Sequence, residues 1–190
     1  VYSGAHDMYF VGDFDENGLY QPIQSVGQLS YNSQSYAAQT YYYEPGKPVI
    51  RFAWNRSDIP GAPFNGSMCT PTEMTLKKHG DRYYLSALPI KSTENLVVKS
   101  DKLDDFTLTH CTHELGSKTC RISFTVKEGD LTFSLYGLEM KLDKNGLTCG
   151  ESILPRLKNE PMKVDIITDT NSVEIYLNGV ANTVIAHVLD

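Results

Sequence analysis

Along the second half of the chain, apolar residues occupy every other position. Ile122, Phe124 and Val126 alternate with polar neighbours, Glu128-Gly129-Asp130 reads as a turn, and Leu131, Phe133 and Leu135 alternate again, a spacing that predicts a hairpin. Leu138, Met140 and Leu142 lead into Lys144-Asn145-Gly146, where Asn-Gly supplies the positive φ values that a tight hairpin turn requires. A third pair follows: Val164, Ile166 and Thr168, a turn over 169–172, then Val173, Ile175 and Leu177, closed by Asn178-Gly179 and a last strand over 183–188. No amphipathic helix interrupts the series. The pattern therefore predicts an all-β fold of antiparallel sheets packed face to face, an antiparallel β-sandwich.

The first third is rich in Tyr, Gly and Asn, with strands expected over 8–11, 35–43 and 49–54. The stretch 56–66 carries Pro60, Gly61, Pro63 and Gly66 and reads as a connector, because proline removes backbone donors and glycine adds freedom. No repeat of solenoid length is visible.

A chain of 190 residues with 41% hydrophobic content can bury one substantial core, so disorder is not expected. The formal charge of −6, with Lys and Arg scattered, offers no basic face and argues against nucleic acid as a partner. No apolar run approaches the roughly 20 residues of a membrane-spanning helix, and Val1 to Phe10 lacks a basic start, so the chain reads as though cut from something larger. Cys111 and Cys120 flank a short polar loop, leaving a hairpin disulfide and free thiols as alternatives for the four cysteines Cys69, Cys111, Cys120 and Cys149. Two sequons, at Asn55 and Asn65, matter only where secreted proteins are glycosylated.

Six short stretches resemble glycoside hydrolase family 32, the invertases, levanases and inulinases, in the family's order. They are Met8-Tyr9-Phe10-Val11-Gly12-Asp13-Phe14-Asp15, Tyr36-Ala37-Ala38-Gln39-Thr40, Arg51-Phe52-Ala53-Trp54, Pro63-Phe64-Asn65-Gly66-Ser67-Met68, Pro71-Thr72-Glu73-Met74-Thr75-Leu76 and Ser172-Val173-Glu174-Ile175-Tyr176-Leu177-Asn178-Gly179. The resemblance implies a five-bladed β-propeller followed by a β-sandwich. Residues 1–66 would then be the end of the last blade and the connector, and residues 67–190 the C-terminal sandwich.

Family members are retaining hydrolases with two carboxyl groups about 5 to 5.5 Å apart, one attacking the anomeric carbon and one protonating the leaving oxygen. The resemblance places these, with a stabilising Asp, in W-x-N-D-P-N-G, R-D-P and E-C motifs, and none of the three occurs in this sequence. No catalytic residue is therefore assigned, and the isolated chain is expected to be inactive although its parent resembles a β-fructosidase. The family's L-D-Y-G-x-D-F-Y-A stretch reads Leu29-Ser30-Tyr31-Asn32-Ser33-Gln34-Ser35-Tyr36-Ala37 here, with Ser30 and Gln34 in place of both acids.

Other candidate chemistry is sparse. Asp13 and Asp15 would share a strand face and could do acid/base work or hold a cation, but read more simply as strand-end acids. His110, Cys111, His113 and Cys120 lack the paired spacing of a zinc site, and Asp104-Asp105 and Lys77-Lys78 read as solvated turn and edge charges. No metal or cofactor is expected. Tyr41-Tyr42-Tyr43 and Tyr83-Tyr84 could offer aromatic faces to a sugar, whereas Trp54 reads as a core anchor before the connector. The resemblance singles out Tyr36, Glu174 and Tyr176 as carbohydrate-binding candidates, with a structural role as the alternative for Glu174 and Tyr176.

The expectation is thus a non-catalytic C-terminal portion of a fructan- or sucrose-hydrolysing glycosidase, stabilising the missing propeller and contributing to sugar binding or homodimer formation, in an extracellular or periplasmic setting. The rival is an independent fructan-binding module, since some such modules look like this sandwich.

Overall fold

The computed structural model describes residues 1–41, 45–58, 60–103 and 111–187. Among them the chain is almost wholly β, with one 3-10 helix at Lys91–Leu96. The first strands are short: β1 (Tyr2–Ser3), β2 (Met8–Tyr9), β3 (Gly12–Phe14), β4 (Tyr20–Pro22) and β5 (Gly27–Gln28). Longer ones follow: β6 (Ser35–Thr40), β7 (Val49–Asn55), β8 (Ser67–Met68), β9 (Thr72–His79) and β10 (Arg82–Pro89). Beyond the helix lie β11 (Cys120–Val126), β12 (Leu131–Leu135), β13 (Leu138–Asp143), β14 (Gly146–Cys149), β15 (Ser152–Pro155), β16 (Met162–Asp169), β17 (Ser172–Leu177) and β18 (Ala181–Ala186).

Described pairings join these into sheets ordered β1-β2-β5, β10-β9-β7-β6 with β8 on β7, β11-β16-β17-β18, β12-β13-β14-β15 and the pair β3-β4. Four of them hold three strands or more, a β-propeller-like arrangement. The expected strand over 8–11 breaks after Tyr9, where Phe10 donates its N–H to the Val1 carbonyl and β3 starts a separate pair. Residues 56–58 and 60–66 form no strand, as their Pro and Gly content requires. Strands on the two sides of Gly66 nonetheless share one sheet, since β7 pairs with β8 and β9.

The alternating segments are strands, but one pairing differs from expectation. β11 and β12 are not a hairpin: β11 pairs with β16 and β12 with β13, so residues 127–130 carry the chain between two sheets. The apolar alternation serves a face-to-face contact, in which Phe124 and Phe133 meet edge to face with centroids 5.5 Å apart. Period-two spacing is the same for strands lying side by side and strands stacked across a core. Met140, Leu142, Leu147 and Leu154 from one sheet and Val164, Ile166, Val173, Ile175 and Leu177 from the other form one buried cluster. Each such side chain contributes about 1.5–3 kcal/mol through burial.

β17 is buried at every position, whereas β16 alternates. Its second face is covered by the N-terminal part of the chain. Asn182 on β18 donates its N–H to the Leu29 carbonyl and accepts from the Tyr31 N–H, both at 2.8 Å. Val184 joins Ala38, Ala53 and Cys69 in a second cluster, and Ala87 donates to the Gly179 carbonyl at 2.8 Å. Gly179 has φ 69°, and a Cβ there would lie 2.9 Å from Leu88, so the Asn178-Gly179 turn needs glycine twice over.

Candidate functional site

Asp7 and Arg51 form a charged pair inside the N-terminal part, both at most 2% exposed. The Arg51 guanidinium donates through Nε to Asp7 Oδ1 at 2.8 Å and through Nη2 to Oδ2, a two-pronged grip. The Tyr2 phenol also donates to Asp7 and accepts from Arg51 Nε at 3.0 Å; Ser35 donates to Asp7 at 3.1 Å and accepts from Arg51 at 2.7 Å. Burial opposes the Arg51 charge, but the Asp7 hydrogen bonds and charge outweigh it and raise its pKa above the ordinary value. Burial likewise pushes the Tyr2 phenol up.

These four residues escaped the sequence reading. Arg51 shares parity with Val49 and Ala53, but the opposite face of the same strand carries Ile50, Phe52 and Trp54, so alternation does not decide which face turns inward. The partner of Arg51 lies 44 positions away, which no local pattern reveals.

A cleft of about 150 Å³ opens beside this pair, lined by His6, Gln28, Asn32, Ser33, Ser35, Tyr36 and Arg56. Tyr36 reaches its wall through a backbone irregularity. β6 and β7 pair at Tyr36↔Trp54 and resume at Gln39↔Phe52, a β-bulge in which Ala37 takes φ 48°. Such bulges re-aim a side chain. Gly4 seats the bulge from behind, accepting the Ala38 N–H at 2.8 Å. The Arg56 guanidinium lies over the Tyr36 ring, 5.1 Å from its centroid, and the His6 ring sits 5.7 Å away.

Glu174 and Tyr176 lie elsewhere, on the buried outer face of β17. Tyr176 donates its phenol proton to Glu174 Oε2 at 2.7 Å, while Glu174 Oε1 accepts the Thr70 N–H at 2.8 Å and hydroxyl at 2.9 Å. Burial, then the Glu174 charge, raises the Tyr176 phenol well above its ordinary pKa. The structure brings these two together, and neither lines the Tyr36 cleft.

Several other candidates find ordinary places. Asp13 is exposed; Asp15 accepts the Asn17 and Leu19 N–H groups, both at 2.9 Å, which build the β3–β4 turn and lower its pKa, the Leu19 bond most. Trp54 is 37% exposed against Gly66 and Met68, a correction to its expected core role: its parity is opposite to that of the buried Ala53 and Asn55. Tyr41 packs on Phe52 at 4.6 Å, while Lys78 and Arg82 lie over the Tyr83 and Tyr84 rings. Lys77 and Lys78 are exposed on β9. All four cysteines are free thiols, so the hairpin disulfide does not form, and Cys120 Sγ contacts the Thr168 hydroxyl at 3.2 Å instead. Cys111 and His113 are exposed, and among the described residues no three His, Cys, Asp or Glu side chains converge as metal ligands. Tyr42, Tyr43, Asp104, Asp105, His110 and Val188 lie outside the described residues. Ser30 is buried beside Asn182, and Gln34 accepts the Arg56 N–H at 3.0 Å; neither lines the cleft. Of the two sequons, Asn55 is buried with Nδ2 donating to Ser67, and Asn65 is exposed.

Residues 2–87 match the family model described as the glycosyl hydrolases family 32 N-terminal domain. The match falls on the N-terminal domain of that family rather than on a C-terminal one. No curated protein matches the chain. Among solved structures, the exo-inulinase from Aspergillus awamori is 17% identical with TM-score 0.63, covering 100% of this chain and 46% of its own. The β-fructofuranosidase from Schwanniomyces occidentalis complexed with fructosyl-erythritol is 16% identical with TM-score 0.63, covering 95% and 46%. A family 32 glycoside hydrolase from Bifidobacterium adolescentis is 16% identical with TM-score 0.58, covering 96% and 32%. The chain thus shares their all-β fold and spans less than half the length of each.

Proposed function

We propose that this chain is the non-catalytic portion of a fructan- or sucrose-hydrolysing glycosidase, with the sheets β11-β16-β17-β18 and β12-β13-β14-β15 as a β-sandwich that stabilises a catalytic propeller and Tyr36 as a sugar contact. One observation supports this reading above the others: the fold follows fructosidase structures along its length, yet the cleft it forms has an aromatic ring, amides and hydroxyls on its wall and no carboxyl group. Retaining hydrolysis needs two carboxyl groups facing one anomeric carbon. A ring face with hydrogen-bonding groups around it can hold a sugar without cleaving it.

In this reading Glu174 and Tyr176 act as ties between β17 and Thr70, keeping the two halves of the chain in register. The propeller partner has a surface to cover: Phe10, Phe14, Leu19, Ile23 and Val26 are all exposed around β3 and β4.

Purified chain incubated with inulin, levan and sucrose should release no fructose, while calorimetric titration with fructose should give binding heat that Tyr36→Ala abolishes. Fructose release that survives repurification would overturn the reading. An independent fructan-binding module is the second reading, favoured by the fact that the lining residues all fall within residues 6–56. Titration separates the two: a module binds inulin or levan tightly alone, whereas a stabilising portion holds only the monosaccharide weakly.

A further inference from the structure

We propose that the Tyr36 cleft selects a carbohydrate bearing an acid group, carboxylate or phosphate, over a neutral sugar. The inference deepens the sugar-binding part of the reading above and rests on it. It starts from the charges on the wall. Of the seven lining residues, Arg56 is permanently cationic, His6 is the other nitrogen base and none is Asp or Glu. On a chain of net charge −6, this lining carries one fixed positive charge and no carboxylate, and the Asp7 carboxylate behind Ser35 is already paired with Arg51.

Arg56 is also unspent. Arg51 holds Asp7 and Arg121 holds Asp165, but no carboxylate pairs with Arg56 among the described residues. Its position is set by other means. The backbone N–H is anchored on the Gln34 carbonyl and the guanidinium lies over the Tyr36 ring. Stacking uses the flat face and leaves the N–H edge free, and that planar fork matches the spacing of carboxylate or phosphate oxygens. An oxyanion there would gain charge-assisted hydrogen bonds, stronger than those a neutral hydroxyl can make.

The remaining polar groups narrow the ligand further. Asn32 is occupied, donating Nδ2 to the Val184 carbonyl and accepting the Gln34 N–H, and the Ser35 hydroxyl is committed to Asp7 and Arg51. Ser33 and the Tyr36 phenol remain beside Arg56 to meet ring hydroxyls. A volume of about 150 Å³ is smaller than the roughly 300 Å³ at which drug-sized pockets begin, which limits the ligand to one ring with its acid group. The bulge at Ala37, with a non-glycine residue at positive φ, is local strain retained where Tyr36 and Arg56 meet.

The test is titration of the full chain with fructose, fructose 6-phosphate, glucuronate and inorganic phosphate at low and high salt. Fructose 6-phosphate and glucuronate should bind roughly tenfold or more tighter than fructose at low salt, the size expected of one charge-assisted contact, and the gap should narrow as salt rises. Arg56→Gln, at an exposed position and checked for folding by circular dichroism, should erase the gap, while Lys77→Gln on β9 should leave it. Fructose binding as tightly as fructose 6-phosphate, or a gap that survives Arg56→Gln, overturns the acid preference and leaves the sugar reading standing. Inorganic phosphate binding as tightly as fructose 6-phosphate upholds the anion preference and overturns the sugar reading. No binding by any of the four overturns both.

Discussion

Glu174 receives the backbone N–H and the hydroxyl of Thr70 on one carboxylate oxygen, at 2.8 and 2.9 Å, across a sequence separation of 104 residues. The other oxygen takes the Tyr176 phenol. A carboxylate buried on a sheet face needs such donors, and the pair of contacts joins the stretch before β9 to the middle of the C-terminal sheet. These directional bonds act with the backbone bonds of Asn182 to Leu29 and Tyr31, and of Ala87 to Gly179, in setting the register of the two halves.

Glu174→Ala should therefore destabilise the whole chain rather than one loop. It leaves the Tyr176 phenol buried without a partner, at about 1–3 kcal/mol, and removes the acceptor of the half-buried Thr70 N–H and hydroxyl at a smaller cost. Tyr176→Phe, which removes only a donor, should cost less, about 1 kcal/mol. Urea denaturation followed by fluorescence ranks them, and equal midpoints for Glu174→Ala and wild type would refute the role.

The Asp7–Arg51 pair gives a prediction with a built-in control. Removing one partner strands the other charge in the interior, so Asp7→Leu or Arg51→Met alone should cost about 3–5 kcal/mol. The double variant should cost much less than the sum, because no charge is then buried unpaired. Additive losses in denaturant midpoints would show that the two side chains act independently.

How far these features were legible from the residues depends on range. The strands β11 to β13, β16 and β17 followed from alternation, while β14 and β15 were not foreseen, and the Asn178-Gly179 turn followed from its dipeptide, with φ 53° and 69° as that turn chemistry requires. The partner of β11 did not follow, because Phe124 and Phe133 keep the same spacing whether their strands lie edge to edge or face to face. Trp54 was misplaced for lack of a phase: Arg51, on the opposite face of the same strand, is the residue that turns inward, and the Asp7 partner is what stabilises that position. Of the cleft, Tyr36 was visible through family resemblance, while His6 and Arg56 carry no local signal and are gathered by the bulge.

That bulge supplies the third prediction. A Cβ on Gly4 would lie 1.7 Å from the Ala38 carbonyl oxygen, and a backbone atom cannot swing aside as a side-chain tip can. Gly4→Ala should push β6 away at Ala37 and Ala38, displace Tyr36, and weaken the proposed sugar binding at the cleft by more than it lowers the denaturation midpoint. Gly18→Ala serves as the control, since a Cβ there meets nothing within 4 Å, although its φ of 76° still costs about 1 kcal/mol. Binding by Gly4→Ala equal to that of Gly18→Ala would show that the bulge does not position Tyr36.

The last prediction concerns alkaline pH. Cys69 is 3% exposed, and burial, followed by the Glu174 charge, pushes its thiol from the ordinary value of 9.0 up to about 12. The folded state therefore holds the proton where the unfolded chain releases it. Unfolding then releases a proton between pH 9.0 and about 12, so the contribution of this thiol to stability is complete below pH 9.0 and declines as pH rises through that window. The slope is about 1.4 kcal/mol per pH unit for one group. Cys69→Ala, similar in volume and without a titrating atom, should lower stability slightly at pH 7 and flatten the decline above pH 9.0 in pH-dependent urea melts. Thiol labelling offers a second reading of the same physics: iodoacetamide should modify the exposed Cys111 in the folded chain at pH 8 and reach Cys69 only after unfolding. Equal slopes for wild type and Cys69→Ala, or equal labelling rates at Cys69 and Cys111, would place the Cys69 thiol in contact with solvent.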